Sequence, residues 1–197
     1  MISLKKFSLS KQKLENRVCI APMCQYSAEN GNPSAWHYFH LKKLMQAGSG
    51  LLMIESTAVS KEGMISKKDL SLRNQKNFIE FKRLFKYLKK ISNTKIGIQL
   101  SHSGRKGSSE LPWIKSNFPL NKKNSWKTIA PSKIKRDKHW PNPKEASMRD
   151  LERVKTHFAK SAKYAKKIGF DCLEIHMAHG YLLHQFFSPI SNKRKDH

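Results

Sequence analysis

Two histidines and a tyrosine, His176, His179 and Tyr181, lie three and two residues apart in the stretch EIHMAHGYLLHQFFSPISNKRKD, Glu174 to Asp196. The stretch opens as an apolar strand and closes as a polar loop, so the three side chains fall where the strand ends. Two imidazoles can aim N–H donors at one carbonyl oxygen and stabilise the negative charge that develops on it. A phenol held beside them can deliver a proton. A plain core strand needs none of the three, although a lone strand-end histidine is usually structural and the alternative for the tyrosine is packing on a short helix.

Such groups need a scaffold, and the chain alternates strand and helix. Arg17–Ala21 (RVCIA) reads as a short buried strand, Pro22 to Pro33 as a loop, and His37–Ala47 as a helix closed by Gly48. Leu51–Ala58 (LLMIESTA) is a continuous apolar strand that turns polar at its end. An amphipathic helix over about Gln75–Ile91 follows, with Phe78, Phe81, Leu84, Phe85 and Leu88 on one face. Lys95–Leu100 is a third strand. Ser101 to Ala146 is too long for an ordinary connection and reads as a lid or partly ordered excursion carrying Trp113, Trp126 and Trp140, placed either to cap a pocket or to staple the loop to the wall. Ser147 and Asp150 resemble a capping box opening a helix that runs to Lys167 and stops at Gly169. Cys172–His176 is the fourth strand, and Tyr181–Phe187 a short helix.

Near-continuous apolar strands with helical crossovers imply a parallel α/β sheet. Every strand ends in polar or functional side chains: Met23, Cys24 and Tyr26; Ser56, Thr57 and Ala58; Gln99 and His102; His176, His179 and Tyr181. Polar groups at all the strand ends favour a barrel rim over a single crevice. No GxGxxG follows any strand, which counts against a dinucleotide fold. A complete barrel usually takes about 250 residues or more, and this chain has 197. The expectation is therefore a TIM (β/α)8 barrel truncated to about the first four β/α units, one domain over 1–197 with its excursion at about 101–146.

The formal charge of +25 raises nucleic acid as a partner. Lysines are scattered over every helix and loop, however, and arginine is scarce, so the charge reads as solvated surface and no specific nucleic-acid partner is expected. Apolar residues make up 38% and mean hydropathy is -0.65, polar for a globular chain yet patterned enough to fold. No apolar run reaches the roughly 18 residues of a membrane span. Cys19, Cys24 and Cys172 form no CxxC pair, and Cys19 and Cys172 fall in strands expected to be buried. An odd count without a leader segment fits a reducing cytoplasm.

Four segments agree in order and spacing with one family: APMCQYSAENG from Ala21, IESTAVSKEGMIS from Ile54, GIQLSHSGRKG from Gly97, and EIHMAHGYLLHQFFSPISNKRKD from Glu174. Together they resemble the FMN-dependent old yellow enzyme family, in its subgroup of bacterial ene-reductases with a cysteine beside the flavin. The resemblance runs from about Val18 to Asp196. It implies a TIM barrel with FMN across the C-terminal mouth, NADPH or NADH as reductant, and an activated alkene such as an α,β-unsaturated ketone or aldehyde as substrate. By the same resemblance His176 and His179 are the oxygen-binding pair, Tyr181 the proton donor and Tyr26 a second substrate-side hydrogen bonder. Ala21, Pro22, Met23, Cys24, Ala58 and Gln99 would line or bond the flavin, and no metal is implied. His37 and His102 read as structural hydrogen bonders, and His184 as packed on the short helix.

The family's second half, with a flavin-contacting arginine and the phosphate-binding loops, is not in this sequence. Three readings follow. The first is an ene-reductase portion needing a complementary half-barrel or a second copy to close its sheet. The second is a non-catalytic remnant or interaction module without flavin. The third is a basic polyanion-binding protein.

Overall fold

The computed structural model describes residues 2–196. A 3-10 turn at Ile2–Leu4 leads into an antiparallel hairpin, β1 (Phe7–Leu9) and β2 (Gln12–Leu14). Then come β3 (Cys19–Ile20), α1 (Ala35–Met45), β4 (Leu51–Ala58), α2 (Gln75–Lys89) and β5 (Lys95–Ser101). The excursion contains a 3-10 turn at Gly104–Lys106, α3 (Pro112–Lys115), β6 (Ile129–Ala130) and β7 (Lys144–Glu145). The chain continues through α4 (Met148–Ile168), β8 (Cys172–Ile175) and α5 (Leu182–Phe187).

The main sheet is four-stranded and parallel in the order β3-β4-β5-β8. Its order follows the sequence, the arrangement of a barrel wall and not of a doubly wound sheet. Because side chains alternate along a strand, β4 and β5 send Leu52, Ile54, Ile96, Ile98 and Leu100 into one core with the helices. There they meet Phe81, Leu84 and Leu88 of α2, Leu41 and Met45 of α1, and Ala165 and Ile168 of α4. Each such side chain, fully buried, stabilises the fold by roughly 1.5–3 kcal/mol. Toward the opposite face β4 turns Met53, and the hairpin's Leu14 packs on it with Leu51, Phe7 and Cys172. Gly97 lies between Met53 and Cys172 so closely that a Cβ there would collide with both sulfurs.

Capping residues set the helix ends. Asn74 Oδ1 accepts the Asn77 N–H at 2.9 Å to open α2. Ser147 and Asp150 form the expected capping box on α4, and Gly169 ends that helix in the left-handed region at φ +108°. The helix and strand positions thus follow the sequence pattern, with ends shifted by one or two residues.

Four features differ from expectation. The first strand is two residues long, not five. Cys19 is exposed and Cys172 only half-buried, because the sheet face they share is covered by no helix. The segment before Val18, to which no element was assigned, forms the hairpin β1–β2. The excursion is ordered: β6 and β7 pair in parallel, Ser103 and Ser109 donate backbone N–H groups to Gly63 and Ile65, and Arg194 ties it down through the carbonyls of Pro131 and Ala146.

Candidate active site

At the C-terminal ends of β3, β5 and β8 the chain encloses an open cleft of about 800 Å³. That volume suits a small-molecule or cofactor site.

The β3 side of the cleft, Ala21 to Tyr26, is held by a buried carboxylate. Glu55 on β4 accepts the Gln25 N–H at 2.8 Å, and its other oxygen lies 3.2 Å from His37 Nε2, not aligned for a hydrogen bond. Gln25 in turn takes the Trp36 indole N–H at 3.1 Å. Tyr26 sits at φ +47°, a left-handed backbone that a tyrosine adopts only where its surroundings impose it. Burial pushes the Cys24 thiol well above the usual range, with Asp69 and Glu55 adding to the effect. Burial likewise pushes the Tyr26 phenol up to about 12.

On β8 the three chemical side chains converge. The His176 N–H bonds Leu100 O at 2.9 Å, which fixes the strand end. Its ring Nδ1 accepts the Ala178 N–H at 3.2 Å, so the ring's own proton sits on Nε2. Burial, with His179 beside it, lowers the His176 pKa and keeps the ring neutral. The His176 ring lies edge-on to His179 at 4.9 Å and to Tyr181 at 4.7 Å between centroids, and the outer pair at 6.0 Å closes the triangle. His179 has φ +56°, and its carbonyl accepts Lys106 Nζ at 2.6 Å. Burial raises the Tyr181 phenol far above its ordinary value. Between the two sides, Gln99 Nε2 donates to Glu174 Oε1 at 2.5 Å across paired residues of β5 and β8.

Nine of the ten residues singled out by sequence line this one cleft: Ala21, Pro22, Met23, Cys24, Tyr26, Gln99, His176, His179 and Tyr181. Ala58 is the exception. It is buried at the end of β4, with its backbone bonded to Leu70 and Leu72. Ser56, named only as a polar strand end, lines the cleft too, and the sequence pattern did not single out Glu174 as a lining residue or Glu55 as the anchor of the β3 side. The signal for Glu55 was present, because a carboxylate inside an otherwise apolar strand demands a partner. His37 and His102 stay behind the cleft, and His184 accepts the Gly180 N–H at 2.9 Å. Of the tryptophans, Trp113 meets the Tyr26 ring edge-on at 6.1 Å, while Trp140 is buried under the Arg136 guanidinium.

The family described as NADH:flavin oxidoreductase / NADH oxidase matches residues 5–197. The chain belongs to that family. An NADH:flavin oxidoreductase of Gibberella zeae is 44% identical over 185 residues, 92% of this chain and 45% of that protein. An NADPH dehydrogenase of Listeria innocua is 39% identical over 193 residues, 97% of this chain and 52% of its own length. The chain thus spans about half the length of these relatives. Among solved structures, morphinone reductase superposes with a TM-score of 0.84 at 20% identity, over 98% of this chain and 52% of its own. An old yellow enzyme from a Pichia species gives 0.83 at 22% identity, over 99% and 50%. These likenesses establish the fold: a TIM-barrel wall of four β/α units.

Proposed function

We propose that this chain supplies the N-terminal half of an FMN-dependent NAD(P)H oxidoreductase that reduces activated C=C bonds of α,β-unsaturated carbonyls. The observation that carries the reading is the convergence of His176, His179 and Tyr181 with Cys24, Tyr26 and Gln99 around one cleft.

The residues suit the ring part of a flavin. Ala21, Pro22 and Met23 give an apolar wall, and the Gln99 amide offers a donor and an acceptor together. No Lys or Arg lines the cleft, so its phosphate has no charged holder there. When bound, the flavin would carry hydride from the nicotinamide to the alkene. His176 Nε2–H and the His179 ring would bond the substrate carbonyl and stabilise the enolate oxygen. Tyr181, kept protonated by its burial, would give its phenolic proton to the α-carbon. Tyr26 would bond the substrate from the β3 side, and the Cys24 thiol would meet the ring as a polarizable, uncharged neighbour. The remaining strands of such a barrel would close the sheet. Strand β8 pairs only with β5 among the described residues, and Leu173, Ile175 and Met177 beside it are exposed.

A second reading, a module that holds no flavin, is favoured by the same lack of a cation in the cleft. Titration of the purified chain with riboflavin and with FMN, followed by quenching of flavin fluorescence, separates the two. Equal, weak binding of both supports the half-site, whereas no quenching supports the flavin-free module. Independently, cyclohexenone binding read by NMR should vanish in the H176A/H179A double variant. Unchanged binding there refutes the oxygen-holding role.

A further inference from the structure

A second pocket of about 340 Å³ opens on the rim and shares no lining residue with the active-site cleft. The loop between β4 and α2 contributes Lys61, Lys67 and Arg73, and the excursion contributes Lys123, Asn124 and Trp126. Four cations therefore line one hollow with no carboxylate among its lining residues. None of the four makes an ion pair among the described residues. The nearby Glu62 faces Arg153 at 3.8 Å.

Arg73 is the one of the four that is not exposed. Its half-buried guanidinium meets only the Met64 sulfur at 3.6 Å and the Asn30 carbonyl at 3.4 Å. A group with five N–H donors normally finds better acceptors when it leaves water. Burial draws its pKa down, although Glu62 opposes the shift. Two bonds position part of the wall: Lys67 Nζ donates to Asn124 Oδ1 at 2.8 Å, and the Trp126 indole N–H is held on Glu62 O at 3.1 Å. Gathering like charges costs energy that falls away when an anion enters. One carboxylate offers too few oxygens for four cations, while a compact chain of phosphates offers several.

We infer that this rim pocket binds an oligophosphate group, either free or carried on a small molecule whose ring would face Trp126. The inference does not depend on the flavin reading. Isothermal titration of the full chain with inorganic pyrophosphate, and separately with ADP, should give one site per chain. The exposed pair K67Q/K123Q should weaken both by about tenfold. A control of equal charge change on α4, K163Q/K166Q, should weaken them by less than about twofold. Tighter binding of ADP would assign the ligand as ring-bearing, and equal binding would assign a free oligophosphate. Circular dichroism would verify that both double variants fold. Absence of binding, stoichiometry well above one, or equal weakening by the two double variants would overturn the site, the last two by reducing it to diffuse surface charge.

Discussion

His102 gives the sharpest handle on how this fold responds to acid. It is fully buried behind the rim, where its Nδ1 accepts the Gly104 N–H at 3.2 Å and its Nε2 has no partner. Burial pulls its pKa down from 6.5 to about 4. In the unfolded chain His102 takes a proton near pH 6.5, while in the folded chain it resists until about 4. Between these values the unfolded state binds more protons, so acid favours unfolding. The stability is fully present above pH 6.5 and falls by about 1.4 kcal/mol per pH unit, on the order of 3 kcal/mol in all. Asp69 works in the opposite sense. Burial outweighs its bonds from Ser66 and Ile65 and raises its pKa from 3.8 to about 7. Its folded form gains a proton first, so its contribution grows as pH falls from 7 toward 4. The two terms nearly cancel in the native chain, and each should emerge when the other is removed. Urea unfolding between pH 4.5 and 7.5 should show H102Q becoming more stable relative to wild type as pH falls, by a midpoint shift of roughly 1 M. D69N should move the other way. Curves for H102Q and wild type that stay parallel in pH would refute the argument.

Three further outcomes are expected. Asp150 is held well below the usual carboxylate range, chiefly by the side-chain bond from Lys144 at 2.7 Å and by Ser147, so removing its cap partner with S147A should cost about 1 kcal/mol in urea unfolding. G169A forces a Cβ into the φ +108° turn and to within 3.3 Å of Phe85, and should cost about 1–2 kcal/mol in the same measurement. Reaction with DTNB at pH 8 should modify the exposed Cys19 well before the half-buried Cys24, because burial raises both thiols but Cys24 far more; equal rates would show the β3 loop opening freely.

The sheet and three long helices were legible because β4 and β5 are near-continuous apolar runs and α2 carries a strong helical period. Of the nine cleft residues, Met23, Cys24, Tyr26, Gln99, His176, His179 and Tyr181 stand at successive strand ends that share a rim, while Ala21 and Pro22 came from the family resemblance alone. What stayed hidden depends on pairing across long separations. The hairpin β1–β2 is three residues a side and half exposed, leaving almost no apolar signal. Glu55 reads in sequence as part of the polar end of β4, and its role shows only with Gln25 and His37 beside it. Ala58 was assigned by its place in a motif, but β4 carries a register shift between Ile54 and Thr57. Spacing along the chain does not reveal which way such a strand end turns. The exposure of Cys19 and Cys172 could not be read either, because burial of a strand is settled by what lies across the sheet.

The electrostatics of the cleft lead to one last consequence. Burial acts on four side chains of the cleft in one direction, toward neutrality: it lowers the His176 imidazolium and raises the Cys24 thiol and the phenols of Tyr26 and Tyr181. At neutral pH the cleft therefore offers N–H, O–H and S–H dipoles in place of ionised side chains from these groups. Dipoles fixed by the backbone stabilise charge only where it appears, which suits a carbonyl that becomes anionic during reaction and not a ligand already charged. Binding of a neutral enone, read by NMR titration, should then be flat from pH 7 to 9. It should weaken as His176 takes a proton on Nδ1, because that proton breaks the bond from Ala178 and frees the ring to turn. A carboxylate analogue that binds more tightly than the enone at pH 8 would show that ionised groups, and not dipoles, govern the cleft.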